Sequence, residues 1–216
     1  MTQSDGLADG RRLKIGLLGG SFDPPHVGHL HMSRTALTRF GLDRVVWLVS
    51  PGNPLKVDAP ASLSRRVQAA RVILDDDPRL FASDYETRAG TRYTVATLAA
   101  LQADYPRTRF TWLMGADNLA QIHQWRDWND IFARMPVGVV ARPGHRLRAL
   151  NAKAARVFAS ARLSASDSWG LGVAQPPRWC FVNMPLRPES STALRSTGAW
   201  LRGGSQDVIA SGRESC

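Results

Sequence analysis

The chain is poor in several features that would each point to a function class. Of its 216 residues only Cys180 and Cys216 are cysteine, too few for a disulfide framework or a four-ligand zinc site. No stretch approaches 18 consecutive apolar residues, so no transmembrane helix is expected. The opening MTQSDGLADGRR has no apolar core, which argues against a secretory signal. No G-x-x-x-x-G-K-[ST] occurs, and Gly16, Gly19 and Gly20 do not form G-x-G-x-x-G. A P-loop and a dinucleotide fingerprint are therefore both absent. Internal repeats and low-complexity tracts are missing as well. These absences lead to the expectation of a cytoplasmic, soluble protein.

Lysine is also scarce. Lys14, Lys56 and Lys153 are the only three among 28 cationic residues, so 25 are arginine. Against 18 acidic residues the formal net charge is +10. Such a charge suits nucleic acid, an anionic membrane surface or phosphorylated small molecules. Arginine favours planar, bidentate phosphate recognition, but a genome-wide codon bias toward arginine is the plainer reading for most of these residues. Nucleic acid is disfavoured: there is no RNP-type aromatic motif, no zinc-finger spacing, and no basic run longer than Arg11-Arg12 or Arg65-Arg66. A composition of 44% hydrophobic and 21% charged residues is that of a globular domain and excludes wholesale disorder.

The hydrophobic pattern alternates between two periods. Strands are expected over 13–18, 45–49, 80–83, 110–114, 137–141 and 179–182. Helices are expected over 29–40, from Ser62 to about Leu74, over 94–104, from Asp117, over 147–159 and over 192–201. This alternation predicts an α/β, Rossmann-like, doubly wound parallel sheet with helices on both faces. Ligands of such sheets bind beyond the carboxyl ends of the strands, near the switch point. The organisation expected is a loose tail over 1–12, one domain over 13–202 and a second tail over 203–216. A further loose stretch is expected from Arg162 to Arg178, where Ser, Gly and Pro are dense.

The first strand runs into Gly19-Gly20-Ser21-Phe22-Asp23-Pro24-Pro25-His26-Val27-Gly28-His29. The glycine pair leaves room for a ligand to approach the backbone. Asp23-Pro24-Pro25 imposes a fixed turn. His26 and His29, three residues apart, share a helical face at a helix N-terminus, where anions are favoured. This predicts a phosphate site with two imidazole donors and no lysine. The alternatives are two satisfied core histidines or a metal pair, and the latter lacks a third ligand because His31 points elsewhere on the helix. Near the C-terminus, Ser190-Ser191-Thr192 offers hydroxyls and free N–H groups at a helix start. Arg195, one turn further, could reach the same phosphates; a simple helix cap with a solvated arginine is the plainer reading.

The first segment resembles the G-[ST]-F-D-P-x-H-x-G-H signature of the nucleotidyltransferase superfamily of adenylyl- and cytidylyltransferases. Together with the second it resembles bacterial nicotinate-nucleotide adenylyltransferases, whose C-terminal segment reads S-S-T-x-[IL]-R. Glu189 stands where an isoleucine commonly precedes that segment. Pro51-Gly52-Asn53-Pro54-Leu55-Lys56 is similar to the family's proline-rich loop ending in lysine. Asp84-Tyr85-Glu86 resembles its acidic pair, and Arg92-Tyr93-Thr94 its Tyr-Thr helix start. Gly115-Ala116-Asp117, Trp125 ten residues after Gly115, and Arg142-Pro143-Gly144 match as well. The resemblance spans about Leu13 to Leu201.

The resemblance implies transfer of the adenylyl group of ATP to nicotinate mononucleotide, giving nicotinate adenine dinucleotide and pyrophosphate. It implies phosphate binding by His26, His29, Lys56 and Arg195 at the reacting groups. Gly19, Gly20, Ser21, Phe22, Asp23, Gly115, Asp117, Ser190, Ser191 and Thr192 would bind ATP. Tyr93, Thr94, Trp125 and Arg142 would bind nicotinate mononucleotide, and Mg²⁺ would arrive with ATP, with no dedicated metal site. Trp47, Trp112 and Tyr85 read as core. The alternatives are an adenylyltransferase for nicotinamide mononucleotide, phosphopantetheine or another phosphorylated acceptor, and a non-catalytic nucleotide or nucleic-acid binder. No membrane partner is expected, and the oligomeric state is not legible.

Overall fold

The computed structural model describes residues 5–7, 12–52, 60–74, 77–141, 146–184 and 200. Lys14–Gly20 (β1) leads into Val27–Arg39 (α1), followed by Arg44–Val49 (β2), Leu63–Leu74 (α2), Leu80–Ser83 (β3), Tyr85–Arg88 (α3) and Thr94–Asp104 (α4). The second half comprises Arg109–Gly115 (β4), Ala116–Gln121 (α5), Trp128–Arg134 (α6), Val137–Ala141 (β5), Arg146–Leu150 (α7), Lys153–Val157 (α8), Arg162–Leu163 (β6) and Trp179–Asn183 (β7). The seven strands form one sheet in the order β3-β2-β1-β4-β5-β7-β6, and every pairing is parallel.

Alternate residues of each strand feed two separate cores, one on each face, as the two-residue period of a strand requires. Ile15, Leu17, Val46, Leu48, Trp112 and Met114 join α4, α5 and α6 on one face. Leu18, Val45, Trp47, Val49 and Leu113 join α1 and α2 on the other. Because both faces are covered, the strands read as nearly continuous apolar runs. The strand order turns at β1, which lies between β2 and β4. The crevice beyond the carboxyl ends of β1 and β4 is therefore where a ligand is expected in this topology.

Three stretches depart from the sequence reading. Residues 5–7, read as part of a loose tail, are packed: Leu7 is fully buried in the first core, and Asp5 pairs with Arg88. The expected helix over 147–159 is two short helices, α7 and α8, interrupted at Asn151-Ala152. Asparagine is a weak helix former, which suits the break at this point. The stretch read as loose, Arg162 to Arg178, forms β6 and a 3-10 turn over Ser168–Val173. Leu171 of that turn is buried, and the Gly172 N–H donates to the carbonyl oxygen of Phe40. The helix expected over 192–201 lies outside the described residues, Trp200 apart.

Candidate active site

The start of α1 is built from histidine. His26 is the N-cap, with extended backbone, and its Nδ1 accepts the N–H of Gly28 at 3.1 Å. The Nδ1 of His29 accepts the N–H of His26 at 3.3 Å. This is a reciprocal capping box in which imidazoles take the places usually filled by a hydroxyl and a carboxylate. The consequence is chemical. With both Nδ1 atoms engaged as acceptors, each neutral ring carries its proton on Nε2, so Nε2–H is the donor that each ring can offer a ligand. The two ring centroids lie 3.8 Å apart at the positive end of a 13-residue helix.

An aromatic wall backs this pair. Phe22 stacks on Trp47 at 4.7 Å and 6°, and His29 meets both rings, at 4.9 and 5.6 Å. Trp47 Nε1–H donates to Ser33 Oγ at 2.7 Å, and that hydroxyl donates to the carbonyl oxygen of His29 at 2.9 Å. Trp47, read as core, is thus core and site wall at once. Phe22 has φ of 45°, in the left-handed region, where a bulky side chain costs about 1–3 kcal/mol. Its stacking on Trp47 and contact with His29 hold it there.

Gly19 has a different reason from the one expected. A Cβ on it would lie 2.2 Å from Trp112 Cη2. Its missing side chain makes room for the Trp112 ring, not for a ligand. A Cβ on Gly20 would only touch Phe22, at 3.3 Å. Overpacking of this kind costs about 1–3 kcal/mol. Gly19→Ala should therefore lower the melting temperature by several degrees, at about 2–4 °C per kcal/mol for a domain of this size. Calorimetry or a circular-dichroism melt checks this; an unchanged melting temperature would mean that the indole moves aside freely.

On the other side of β1 and β4 a second cluster forms. Trp125 is half-buried and meets Trp112 edge-on at 6.5 Å and 77°. Tyr93 is the N-cap of α4, and no side chain caps that helix start. The amides of its first turn, at Thr94 and Val95, are therefore left for a ligand or water. The Arg126 guanidinium lies 4.8 Å from the Tyr93 ring centroid. Arg126 directly follows Trp125 in the chain, so this contact sets Tyr93 in the neighbourhood of Trp125. Arg126 itself was missed, since a charged residue between two tryptophans reads as surface. Thr97 Oγ1 braces the turn, bonding Thr91 Oγ1 at 2.8 Å and the Tyr93 carbonyl at 3.3 Å. Glu86 precedes this turn, and burial pushes its carboxyl up to about 7.

Asp117 is exposed in the first turn of α5, and its Oδ1 occupies the space beside Gly115 where a Cβ would lie. Ser21 and Asp23 lie in the β1–α1 loop with the histidines, but the Asp23 carboxylate is 1% exposed and turns into the protein. Lys56, Arg142, Ser190, Ser191, Thr192 and Arg195 lie outside the described residues. Among the described residues, no three His, Cys, Asp or Glu side chains are grouped to hold a metal ion, and no helix is long and apolar enough to cross a membrane.

A family model described as cytidylyltransferase-like matches residues 17–197. The chain belongs to the cytidylyltransferase-like family. Among its relatives in this family is a Cereibacter sphaeroides protein, "Probable nicotinate-nucleotide adenylyltransferase". It is 58% identical over 186 residues, which cover 86% of this chain and 98% of that protein. A Parvibaculum lavamentivorans protein of the same name is 49% identical, over 87% of this chain and 94% of its own length. The cytidylyltransferase-like fold is also seen in Plasmodium falciparum nicotinic acid mononucleotide adenylyltransferase complexed with NaAD. That structure aligns with a TM-score of 0.63 and 16% identity, over 84% of this chain and 82% of the other.

Proposed function

We infer that this chain is a nicotinate-nucleotide adenylyltransferase of NAD biosynthesis. It transfers the adenylyl group of ATP to nicotinate mononucleotide and releases pyrophosphate. The observation that carries this reading is the capped imidazole pair at the positive end of α1, set at the switch point of a cytidylyltransferase-like sheet. The near relatives bearing the same name support it.

The reaction needs no covalent intermediate. The 5′-phosphate of the mononucleotide is ionised at neutral pH, carrying about −1.5 to −2 charge. One of its oxygens bonds to the α-phosphorus of ATP as the bond from that phosphorus to the β-bridging oxygen breaks. The electron pair leaves with pyrophosphate. Catalysis then consists of positioning and of stabilising charge that develops on the transferring and leaving groups. His26 and His29 present Nε2–H donors to those phosphates, at a helix terminus that already favours negative charge. Gly20, Ser21 and Phe22 line the approach of ATP. Gly115 and Asp117, beyond β4, take the adenosine side.

The nicotinate ring stacks on Trp125, and its carboxylate meets the open amides at the start of α4, beside Tyr93 and Thr94. The positive end of that helix favours a carboxylate over a carboxamide, with Arg126 adding to the field. By resemblance, Ser190, Ser191, Thr192 and Arg195 hold the β- and γ-phosphates. Lys56 adds charge over the reacting groups, and Arg142 serves the mononucleotide. Mg²⁺ suits ATP as a companion carried by its phosphates and water. Such an ion neutralises charge on the triphosphate. The reaction belongs in the cytoplasm, where ATP is made available.

A pyrophosphate-release assay tests this reading. ATP with the protein alone should give no pyrophosphate. Adding nicotinate mononucleotide should give multiple turnovers, with slower release on nicotinamide mononucleotide and none on phosphopantetheine. Equal turnover with the two mononucleotides would remove the carboxylate-binding role of α4. No release with any acceptor would sink the assignment.

A further inference from the structure

Beneath the β1–α1 loop, distant stretches of chain meet around two buried charged side chains, Asp23 and Arg66. The Asp23 carboxylate accepts the N–H of Ala61 at 3.3 Å and the indole Nε1–H of Trp200 at 2.7 Å. Arg66 on α2 is fully buried. Its guanidinium donates to the carbonyl oxygens of Ser21 at 2.6 Å, Ser50 at 2.7 Å, Ala61 at 2.7 Å and Pro51 at 3.2 Å. Burial lowers the pKa of that guanidinium, and the negative charge of Asp23 opposes the shift. Trp200 sits with Ala61 and Ala69 in a small cluster apart from the two main cores. The Arg65 guanidinium covers its ring at 4.2 Å.

Burying two charged side chains is a poor way to gain stability, because apolar side chains of similar volume serve as well or better. What this arrangement gains is direction. Arg66 fixes carbonyl oxygens at the ends of β1 and β2 at the same time. Asp23 lies between strained Phe22 and the N-cap His26, so the atoms that hold its carboxylate also set the entry angle of α1. Trp200 comes five residues after Arg195 in the sequence.

We propose that Trp200 is a positioning residue for adenylyl transfer. Its indole N–H holds the Asp23 carboxylate, which sets the Phe22–His26 turn and so the placement of the two imidazoles against the ATP phosphates. This rests on reading that turn as the ATP phosphate site. The test is Trp200→Phe in the full chain, which keeps an aromatic face under Arg65 and removes the N–H together with the pyrrole part of the ring. The KM for ATP should rise about tenfold or more, the size expected for losing a hydrogen bond to a charged group, and kcat should fall. The KM for nicotinate mononucleotide should stay within about twofold. Trp200→His, which retains a ring N–H, should recover part of the ATP effect. A merely structural role would lower the melting temperature and the active fraction, and would leave the KM for ATP unchanged. That result in an active preparation overturns the proposal. A wild-type chain that releases no pyrophosphate would instead overturn the function reading beneath it.

Discussion

Replacing His29 with alanine should lower kcat by about 10²–10³, the loss found when one preorganised donor to a developing oxyanion is removed. The argument is specific about which atom matters. Nδ1 of His29 is spent on the His26 N–H, so the donor lost to the reaction is Nε2–H. The substitution also removes a helix cap, worth about 1 kcal/mol, and should lower the melting temperature by about 2–4 °C. The two effects can be separated. Glutamine at the third helical position is a regular capping-box partner, so His29→Gln should restore the melting temperature while leaving turnover depressed. Single-turnover kinetics beside a thermal melt would show this. Near-native turnover in the alanine variant would take His29 out of the mechanism.

The second large effect is expected at Trp125. Stacking of a flat heterocycle on an aromatic side chain is worth about 1–3 kcal/mol by alanine substitution. At 1.4 kcal/mol per tenfold, Trp125→Ala should raise the KM for nicotinate mononucleotide by roughly 5- to 150-fold. The KM for ATP should change far less. Trp112 loses its edge-on neighbour in this variant, which costs about 0.5–1.5 kcal/mol of stability without touching the ATP side. Trp125→Phe should retain most of the binding. Steady-state kinetics in both substrates decide the matter, and an equal rise in the two KM values would argue that Trp125 shapes the domain and does not hold the ring.

The readable and unreadable parts of the molecule divide along physical lines. The helix over Thr94–Asp104 and the strands Leu80–Ser83 and Val137–Ala141 stand where the hydrophobic pattern puts them, because their apolar spacing is set locally. The proximity of the two imidazoles was legible in the three-residue spacing. Their mutual capping was not, because histidine is an unusual cap and the bonds involve ring nitrogens whose roles only coordinates reveal. Trp112 was placed correctly in the core, yet its demand on Gly19 depends on the pairing of β1 with β4, a contact between residues 93 apart. Leu7 and Leu171 lie in stretches of polar or breaker-rich composition, and what buries them is supplied by distant strands and helices. Arg66 hid for the opposite reason. Arginine reads as surface, although it shares a helical face with Val67, Ala70 and Leu74, all buried; that placement within an apolar stripe was the available signal.

Leu7 and Trp200 also decide how far the chain can be shortened. Both are interior plugs: one fills the first of the two cores, the other covers the base of the β1–α1 turn. An affinity tag fused directly at Leu13, or a stop codon placed just after Arg195, would leave every described strand in the sequence. Each would still open a void lined by partners built to be covered. A deletion series should therefore keep both side chains, although each lies outside the described strands and helices.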